Sequence, residues 1–192
     1  MSRLPERIEA DRLLLRLPSA ADAGPLNQAI ADSFEALNAW MDWAVKPQTL
    51  AETRAFCEES RALWEADTAC NLLMIDKASG SIVGASGYPR LDWSVPRFEI
   101  GYWCRTAHVG RGYASEATWA LSRHAFEALG ARRVELRMDD RNERSWRVAE
   151  RLGFTREALI RNDVRVADGS LRNTRVYAAI SLLELRAPTR PR

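Results

Sequence analysis

One stretch, residues 98–130, constrains the fold of this chain more than any other. It begins with large apolar side chains at alternate positions, Phe98, Ile100 and Tyr102, which is the pattern of a half-buried β-strand. After residues 105–108 the periodicity changes, and the chain turns through two glycines into a helix. A strand, a glycine turn and a helix in this order predict an α/β unit whose turn lies at the helix N-terminus.

That turn predicts an anion-binding site. The first N–H groups of a helix have no partner within the helix, and the helix dipole adds a partial positive charge there. Gly110 and Gly112 have no Cβ, so the backbone at the turn can approach a phosphate closely. An ordinary strand-to-helix turn can carry the same glycines, so the prediction depends on the motifs that accompany the turn.

The composition is that of an ordinary globular protein, and it excludes several classes. The chain has 192 residues and a formal net charge of +2, so we expect no general attraction to nucleic acid or to membranes. No apolar run is long enough to cross a membrane, and residues 1–10 carry charges where a signal peptide is apolar, which predicts a cytoplasmic protein. The three cysteines are far apart and the two histidines lie on different predicted elements, so we expect reduced thiols and no metal site.

The remaining patterns predict the element order β-α-α-β-β-β-α-β-α-β-β. Residues 13–17 form the first strand, and residues 88–96 form a loop. The strands that begin near Phe98 and Arg132 are joined through a helix and should be parallel, whereas short loops join the others and make them antiparallel. The last two strands should turn around residues 168–169. The predicted fold class is therefore α/β of the mixed α+β kind, with about seven strands in a mostly antiparallel sheet and helices on both faces.

Three motifs then point to a family. They are GRGYASEA at residues 110–117, NERS at residues 142–145 and ERLGF at residues 150–154. In this order and spacing they resemble the GCN5-related N-acetyltransferases (GNAT superfamily), most closely the branch of ribosomal-protein N-terminal acetyltransferases. The resemblance covers residues 12–185 and implies a sheet that is splayed at its central parallel pair. We therefore expect a single N-acetyltransferase domain at residues 1–185 and a disordered tail at residues 186–192.

The resemblance implies acetyl-CoA as co-substrate, with no metal. In the family, six residues of the turn cradle the CoA diphosphate through their main-chain N–H groups. The corresponding residues here are Val109, Gly110, Arg111, Gly112, Tyr113 and Ala114, and Val109 stands where Gln or Arg is usual. The splayed strand offers backbone partners to the pantetheine arm and the thioester, which assigns that role to Tyr102, Trp103 and Cys104. Gly101 is the expected position of the bulge that opens the sheet.

Glu99 and Ser145 are the predicted catalytic residues. The family often keeps a carboxylate on the central strand, so Glu99 is expected to take a proton from the amine through a water molecule. Many relatives place a tyrosine seven residues after the asparagine of the short helix, but Ala149 stands there, and Ser145 is the substitute donor for the leaving thiolate. Asn142 would orient the CoA arm. Glu99 could instead be a solvent-facing acid, and the other two could be only helix caps.

The acceptor amine is expected to enter past Trp40, Trp43 and Trp93, with Asp42 and Asp92 nearby to attract a cation. The branch implies a protein N-terminus, of Ser- or Ala-starting chains, whereas a polyamine, an amino acid or an aminoglycoside would also suit such an entrance. The branch also implies a homodimer, and an exposed strand near the C-terminus would allow pairing.

Two other functions remain open at this point. A CoA-binding module without turnover is possible because the usual tyrosine is missing. A nucleic-acid site is suggested by seven arginines in residues 132–151. Acids are interleaved with them, which favours a solvated, salt-bridged face.

Overall fold

The computed structural model describes residues 3–166 and 169–189. Within them, eight strands form one sheet in the order β1-β2-β3-β4-β5-β6-β8-β7. The strands are β1 (Arg7–Glu9), β2 (Leu13–Arg16), β3 (Cys70–Asp76), β4 (Ile82–Asp92), β5 (Arg97–Cys104), β6 (Arg133–Asp139), β7 (Thr155–Arg165) and β8 (Leu171–Ala179). The helices are α1 (Ala23–Ala31), α2 (Phe34–Asn38), α3 (Leu50–Glu65), α4 (Tyr113–Ala128) and α5 (Glu143–Leu152).

The mixed sheet predicted from the sequence is confirmed. Among the described strands, β5 and β6 are the one parallel pair, and every other neighbouring pair is antiparallel. The parallel pair is joined through α4, as a crossover requires. The capping box at Thr49 begins α3, and Asn142 accepts a hydrogen bond from the Ser145 N–H at the start of α5. Gly153 ends α5 at φ 88°.

Three elements differ from the prediction. The three-residue strand β1 was missed because it is too short to show a period. The predicted loop over residues 88–96 is wrong in its first half, because β4 continues to Asp92. Residues 26–37, whose apolar side chains suggest one helix, are divided into α1 and α2; buried Ser33 lies between them, and its Oγ accepts a hydrogen bond from the Thr106 N–H at 3.0 Å. Asp168, at the predicted last turn, lies outside the described residues.

The sheet opens at the parallel pair. Pairing between β5 and β6 ends at Glu99 and Glu135, and the rest of β6 pairs only with β8. The two strands therefore diverge beyond that point, as the resemblance implied. The cleft lies between the ends of β5 and β6, and it positions the site described below.

The bulge beside this opening is on β4, so its predicted position at Gly101 is wrong. Gly87 pairs with Gly101 and Arg90 pairs with Glu99, which leaves two residues of β4 opposite one of β5. One of the two is Pro89, which has no N–H to lose from the ladder. Gly101 has another role, because a Cβ there would lie 3.1 Å from Pro89 Cγ.

The core lies mainly between the sheet and α4. Ala117, Leu121 and Ala125 of that helix are fully buried, and the Tyr88 hydroxyl donates a hydrogen bond to the Leu121 carbonyl at 2.7 Å. This packing fixes α4 against the sheet, and with it the turn that precedes the helix. Among residues 3–166 and 169–189, no helix combines the length and the apolar character that crossing a bilayer requires.

Candidate active site

The turn before α4 presents unpaired N–H groups. Gly110 and Gly112 have φ of 83° and 80°, a region that favours glycine and that turns the backbone here. Within the described part of the chain, no group accepts a hydrogen bond from the N–H groups of residues 110–113. Val109 is different, because its N–H donates to the Thr106 carbonyl at 3.3 Å. The free donors are therefore the four consecutive N–H groups of residues 110–113, out of the six residues of the predicted cradle.

Glu116, which sequence analysis did not select, holds this turn in place. Its buried carboxylate accepts hydrogen bonds from the Arg12 N–H at 2.6 Å, from Arg12 Nε at 2.8 Å and from the Leu13 N–H at 3.0 Å. Arg12 Nη1 also donates to the Arg111 carbonyl at 2.9 Å. The start of β2 is thereby fastened to the first turn of α4. The only signal in the sequence was an acid in the first helical turn, which usually reflects the helix dipole alone.

A groove of about 1220 Å³ runs from this turn along the free edge of β5. It is lined by most of the predicted cofactor residues, namely Tyr102, Trp103, Cys104, Val109, Gly110, Gly112, Tyr113, Ala114 and Asn142. Arg111 does not line it, although its N–H has no acceptor among the described residues. The groove therefore fits a long ligand with a diphosphate at the turn, because free N–H donors, positive-φ glycines and an unpaired strand edge lie along one surface.

Tyr102 and Ser145 meet in the wall of this groove. The Tyr102 hydroxyl lies 3.0 Å from the carbonyl oxygen of Ser145 and 2.9 Å from Ser145 Oγ. Burial raises the pKa of the Tyr102 phenol above its ordinary value, so the hydroxyl keeps its proton near neutral pH. The sequence predicted only a backbone role for Tyr102. Its side chain supplies a tyrosine hydroxyl to the site from β5, and Ala149, where relatives carry a tyrosine, is fully buried in α5.

A second cavity, of about 720 Å³, opens on the other side of β5. Its lining includes Trp40, Asp42, Trp43 and Glu99. The two cavities share six residues, which places the second one in contact with the groove; these are Trp40, Met41, Tyr102, Trp103, Asn142 and Ser145. The structure thus brings together nine of the ten predicted cofactor residues, both predicted catalytic residues and two of the three predicted tryptophans.

Trp93 and Asp92 are not brought to this site. Trp93 packs edge-on against Phe98 at 5.2 Å between ring centroids, and its Nε1 donates to the Asp67 carbonyl at 2.8 Å. Asp92 accepts hydrogen bonds from Ser94 in the turn after β4. Neither residue lines the groove or the second cavity. The geometry therefore does not support the predicted substrate role of Trp93, which follows directly after the end of β4.

Glu99 lies in the second cavity and has a cationic partner. Its carboxylate is 3.3 Å from Arg90 Nη1, and its side chain is 15% exposed, whereas that of Arg90 is 73% exposed. Since the Arg90 side chain extends into solvent, water and ions screen the ion pair, which contributes little to stability. The Glu99 carboxylate remains accessible from the cavity, as a base acting through water requires.

Two further acids line the same cavity and were missed by sequence analysis. Asp163 lies 3.2 Å from Arg137, and Asp139 lies 3.3 Å from Arg172. Asp163 reaches the cavity because the pairing of β7 with β8 shifts between Ile160 and Val164. No local pattern reveals such a shift, so no signal in the sequence could have placed this residue.

Comparisons with known proteins agree with this geometry. The sequence matches the family model of the acetyltransferase (GNAT) domain over residues 12–155. An uncharacterized N-acetyltransferase of Bacillus licheniformis is 28% identical over 176 residues, which cover 91% of this chain and 96% of that protein. The ribosomal-protein-serine acetyltransferase of Escherichia coli is 28% identical over 137 residues, which cover 71% of this chain and 75% of that protein.

Solved structures show the same fold. RimL, a ribosomal alpha-N-protein acetyltransferase solved in complex with coenzyme A, superposes with a TM-score of 0.85 at 23% identity. The superposition covers 92% of this chain and 98% of that one. Since the family model spans most of the chain and the fold agrees over its length, this protein belongs to the GNAT family of acetyltransferases.

Proposed function

We propose that this protein transfers an acetyl group from acetyl-CoA to a primary amine, by direct attack while both substrates are bound, and that the amine is the N-terminal α-amine of a protein. The main support for the proposal is that two cavities adjoin at β5. One is lined by free main-chain N–H groups, and the other by carboxylates and tryptophans. The acyl donor and the acceptor can approach each other there from opposite sides.

The N–H groups of residues 110–113 would bind the diphosphate of CoA, and the free edge of β5 from Tyr102 to Cys104 would pair with the pantetheine arm. When bound, acetyl-CoA supplies an activated acetyl group as a thioester. A main-chain N–H near Tyr102 would stabilise the oxyanion that develops during acyl transfer.

The amine must lose a proton before it attacks. An α-amine with a pKa of about 7.7–8.0 is roughly a tenth to a sixth neutral at pH 7, whereas a lysine with a pKa of about 10.4 is neutral about once in 2,500 molecules. Glu99, reached through water, is the proposed base. An α-amine therefore needs less help from a base than a lysine does.

The departing thiolate needs a hydrogen-bond donor, and Ser145 is the proposed one. The single proton of the Tyr102 hydroxyl can be donated to the Ser145 carbonyl or to Ser145 Oγ. Only the second arrangement leaves the Ser145 proton free to point at sulfur. Tyr102 therefore acts as a positioning residue, and its raised pKa keeps the required proton in place.

Direct transfer is favoured over an acetylated enzyme. Cys104 is the only cysteine that lines the groove among the described residues. Burial raises the pKa of its thiol to about 11, so roughly one molecule in ten thousand carries the thiolate at pH 7.

The choice of a protein N-terminus rests on relatives. The E. coli relative is named for ribosomal-protein serine, and the RimL structure is of an alpha-N-protein acetyltransferase. A Ser- or Ala-starting chain is therefore the proposed acceptor. A small amine is the second candidate, since a cavity of about 720 Å³ has the size of a small-molecule site.

Release of free thiol from acetyl-CoA with a panel of amines tests the proposal. The panel contains peptides that begin with Ser, Ala, Met or Glu, each matched by the same peptide with a blocked N-terminus and an internal lysine, together with spermidine, free amino acids and an aminoglycoside. We expect turnover with the free Ser and Ala peptides and none with their blocked counterparts. Mass spectrometry of the products should place the acetyl group on the α-amine. Turnover confined to small amines would select the second candidate, and tight CoA binding without any turnover would indicate a CoA-binding module.

A further inference from the structure

The segment between α2 and α3, residues 39–49, is here named the tryptophan link, and it forms part of the wall of the second cavity. Its middle packs against β5, since Ala44 is buried and the ring centroids of Trp43 and Trp103 lie 6.3 Å apart. Trp40, near the start of the link, lines the cavity where it adjoins the groove. The contacts of Trp40 therefore decide the shape of the cavity at this border.

Arg172 of β8, which also lines the second cavity, contacts the start of the link. Its Nη1 donates a hydrogen bond to the Ala39 carbonyl at 2.7 Å, between residues that are 133 positions apart. Its guanidinium carbon lies 5.7 Å from the centroid of the Trp40 ring, within the range of a cation–π contact. Within the described part of the chain, this is the one hydrogen bond that joins the link to β6, β7 or β8. Arg172 therefore attaches the link to the half of the sheet beyond the opening.

Asp139, the last residue of β6, orients the Arg172 side chain. Asp139 Oδ2 lies 3.3 Å from Arg172 Nε, and the two side chains are only 8% and 20% exposed. The other carboxylate oxygen of Asp139 accepts a hydrogen bond from the Arg141 N–H at 2.8 Å, which fixes the carboxylate at the end of β6. Water and ions screen an ion pair at this depth less than they screen a surface pair. The guanidinium group therefore joins the end of β6 to the segment that carries Trp40.

We propose that Arg172 is a positioning residue for the acceptor amine, an inference that rests on the proposed function. It holds the start of the tryptophan link against β8, so that Trp40 already forms a wall of the second cavity when the acceptor enters. Because the link is ordered in advance, no binding energy is used to order it, and the acceptor binds more tightly. Arg172 lines the second cavity but not the groove, so its effect should fall on the acceptor and not on acetyl-CoA.

Hydrogen exchange of the full chain without ligands, followed by mass spectrometry, tests whether Arg172 holds the link. Arg172→Met keeps a long side chain and removes the charge and the donors. The amides of residues 40–44 should then exchange at least about fivefold faster than in wild type, because local opening becomes easier, whereas those of β3 and β4 should keep their rates. Unchanged exchange over residues 40–44 overturns the anchoring. Faster exchange throughout the sheet shows a general role in stability and overturns the positioning role.

Steady-state kinetics with a Ser-starting peptide test the consequence for the reaction. Arg172→Met should raise the KM for the peptide about tenfold, since the acceptor must then order the link itself. The kcat and the KM for acetyl-CoA should stay within about twofold of wild type, because Arg172 does not line the groove. Arg172→Lys keeps a positive charge and a donor for the Ala39 carbonyl, and should return the peptide KM to within about threefold of wild type. A peptide KM unchanged by Arg172→Met overturns the proposal.

Arg175→Met is the matched control. Arg175 lies on the same strand, is 19% exposed, pairs with Asp140 and lies 4.5 Å from the centroid of the Trp146 ring, but it lines neither cavity. We expect wild-type values of the peptide KM and of exchange over residues 40–44. Equal effects of the two substitutions overturn a specific role of Arg172. Absence of turnover with every amine overturns the proposed function instead, and the exchange rates, which need no substrate, still decide whether Arg172 anchors the link.

Discussion

At the scale of single residues, the site consists of groups whose roles depend on their partners. Glu99 is the proposed base, and its carboxylate lies 3.3 Å from Arg90, whose side chain extends into solvent. Ser145 is a helix residue whose Oγ lies 2.9 Å from the Tyr102 hydroxyl, and its proposed role as a donor depends on accepting the Tyr102 proton. The proposed roles of Glu99, Ser145 and Tyr102 can therefore be tested by separate substitutions.

Glu99→Gln should lower kcat/KM for a peptide amine by about 10- to 100-fold at pH 7, because water-mediated removal of the proton is lost. The loss should shrink as the pH rises above the pKa of the amine, about 8, where the neutral amine is already abundant. A pH–rate profile over pH 6–9.5 measures this. Asp163→Asn is the matched comparison, since Asp163 is the other acid of the cavity with a single arginine partner. A pH-dependent loss in that variant alone would identify Asp163, and not Glu99, as the base.

Ser145→Ala should lower kcat by about 10- to 100-fold with little change in the affinity for CoA, because the donor acts on the leaving thiolate. Tyr102→Phe keeps the ring and removes only the hydroxyl, and should lower kcat by about 3- to 10-fold. The double variant should be no slower than Ser145→Ala, because Tyr102 acts through Ser145. Steady-state kinetics of the three variants measure this, and additive losses would show that Tyr102 acts independently.

At the scale of elements, the turn before α4 and the first turn of that helix form one unit. The turn supplies the donors, and Glu116 attaches it to β2 through Arg12 and Leu13. The prediction of the donors needed only local glycine and helix-terminus chemistry. The attachment joins residues about one hundred positions apart, and it appears only in the folded chain.

Gly112→Glu should weaken CoA binding by at least tenfold, because it places bulk and negative charge where the diphosphate is expected and strains a backbone at φ 80°. Gly130→Glu is the matched control, since Gly130 has φ 66°, has open space where a Cβ would lie and is outside the groove. The Gly130→Glu variant therefore introduces similar backbone strain at a position that does not contact CoA. Calorimetric titration with CoA measures both, and equal affinities in the two variants would place the diphosphate elsewhere.

Glu116→Gln should lower the free energy of unfolding by about 2–4 kcal/mol, because it leaves the half-buried Arg12 guanidinium and the buried Leu13 N–H with a weaker acceptor. Glu127→Gln, on the same helix, removes an exposed pair with Arg123 at 3.9 Å and should change it by less than about 0.5 kcal/mol. Urea unfolding of both variants measures the difference. A loss in Glu116→Gln no larger than in the control would mean that the attachment contributes no stability.

At the scale of the whole molecule, the splayed sheet separates two binding regions by one strand. The groove and the second cavity adjoin at Tyr102, Trp103 and Ser145, and in the proposed function each substrate would enter through one of them. This arrangement favours a complex that contains both substrates.

Initial rates measured at several fixed amine concentrations should give intersecting double-reciprocal lines when acetyl-CoA is varied. Direct transfer requires both substrates to be present, and the raised pKa of the Cys104 thiol disfavours an acetylated intermediate. Incubation with radiolabelled acetyl-CoA and no amine should leave the protein unlabelled. Parallel lines together with label on Cys104 would establish a two-step mechanism instead.

The sequence by itself determined the features that depend on neighbouring residues. Alternation around Phe98 predicts β5, and the two glycines after it predict the turn and its donors. The order of strands and helices, with one crossover through α4, predicts the mixed sheet. These predictions hold because local backbone preferences and hydrophobic periodicity operate over a few residues, whatever the rest of the chain does.

The tertiary structure decided which distant side chains meet. Trp93, which follows the bulged strand β4, lines neither cavity, and Asp163, which lies where the pairing of β7 with β8 shifts, lines the second one. Contact between the Tyr102 hydroxyl and Ser145 depends on how α5 packs beside the open end of β5. A shift of one residue in strand pairing reverses the faces that side chains occupy, so these encounters are set by the register of the whole sheet and not by any local pattern.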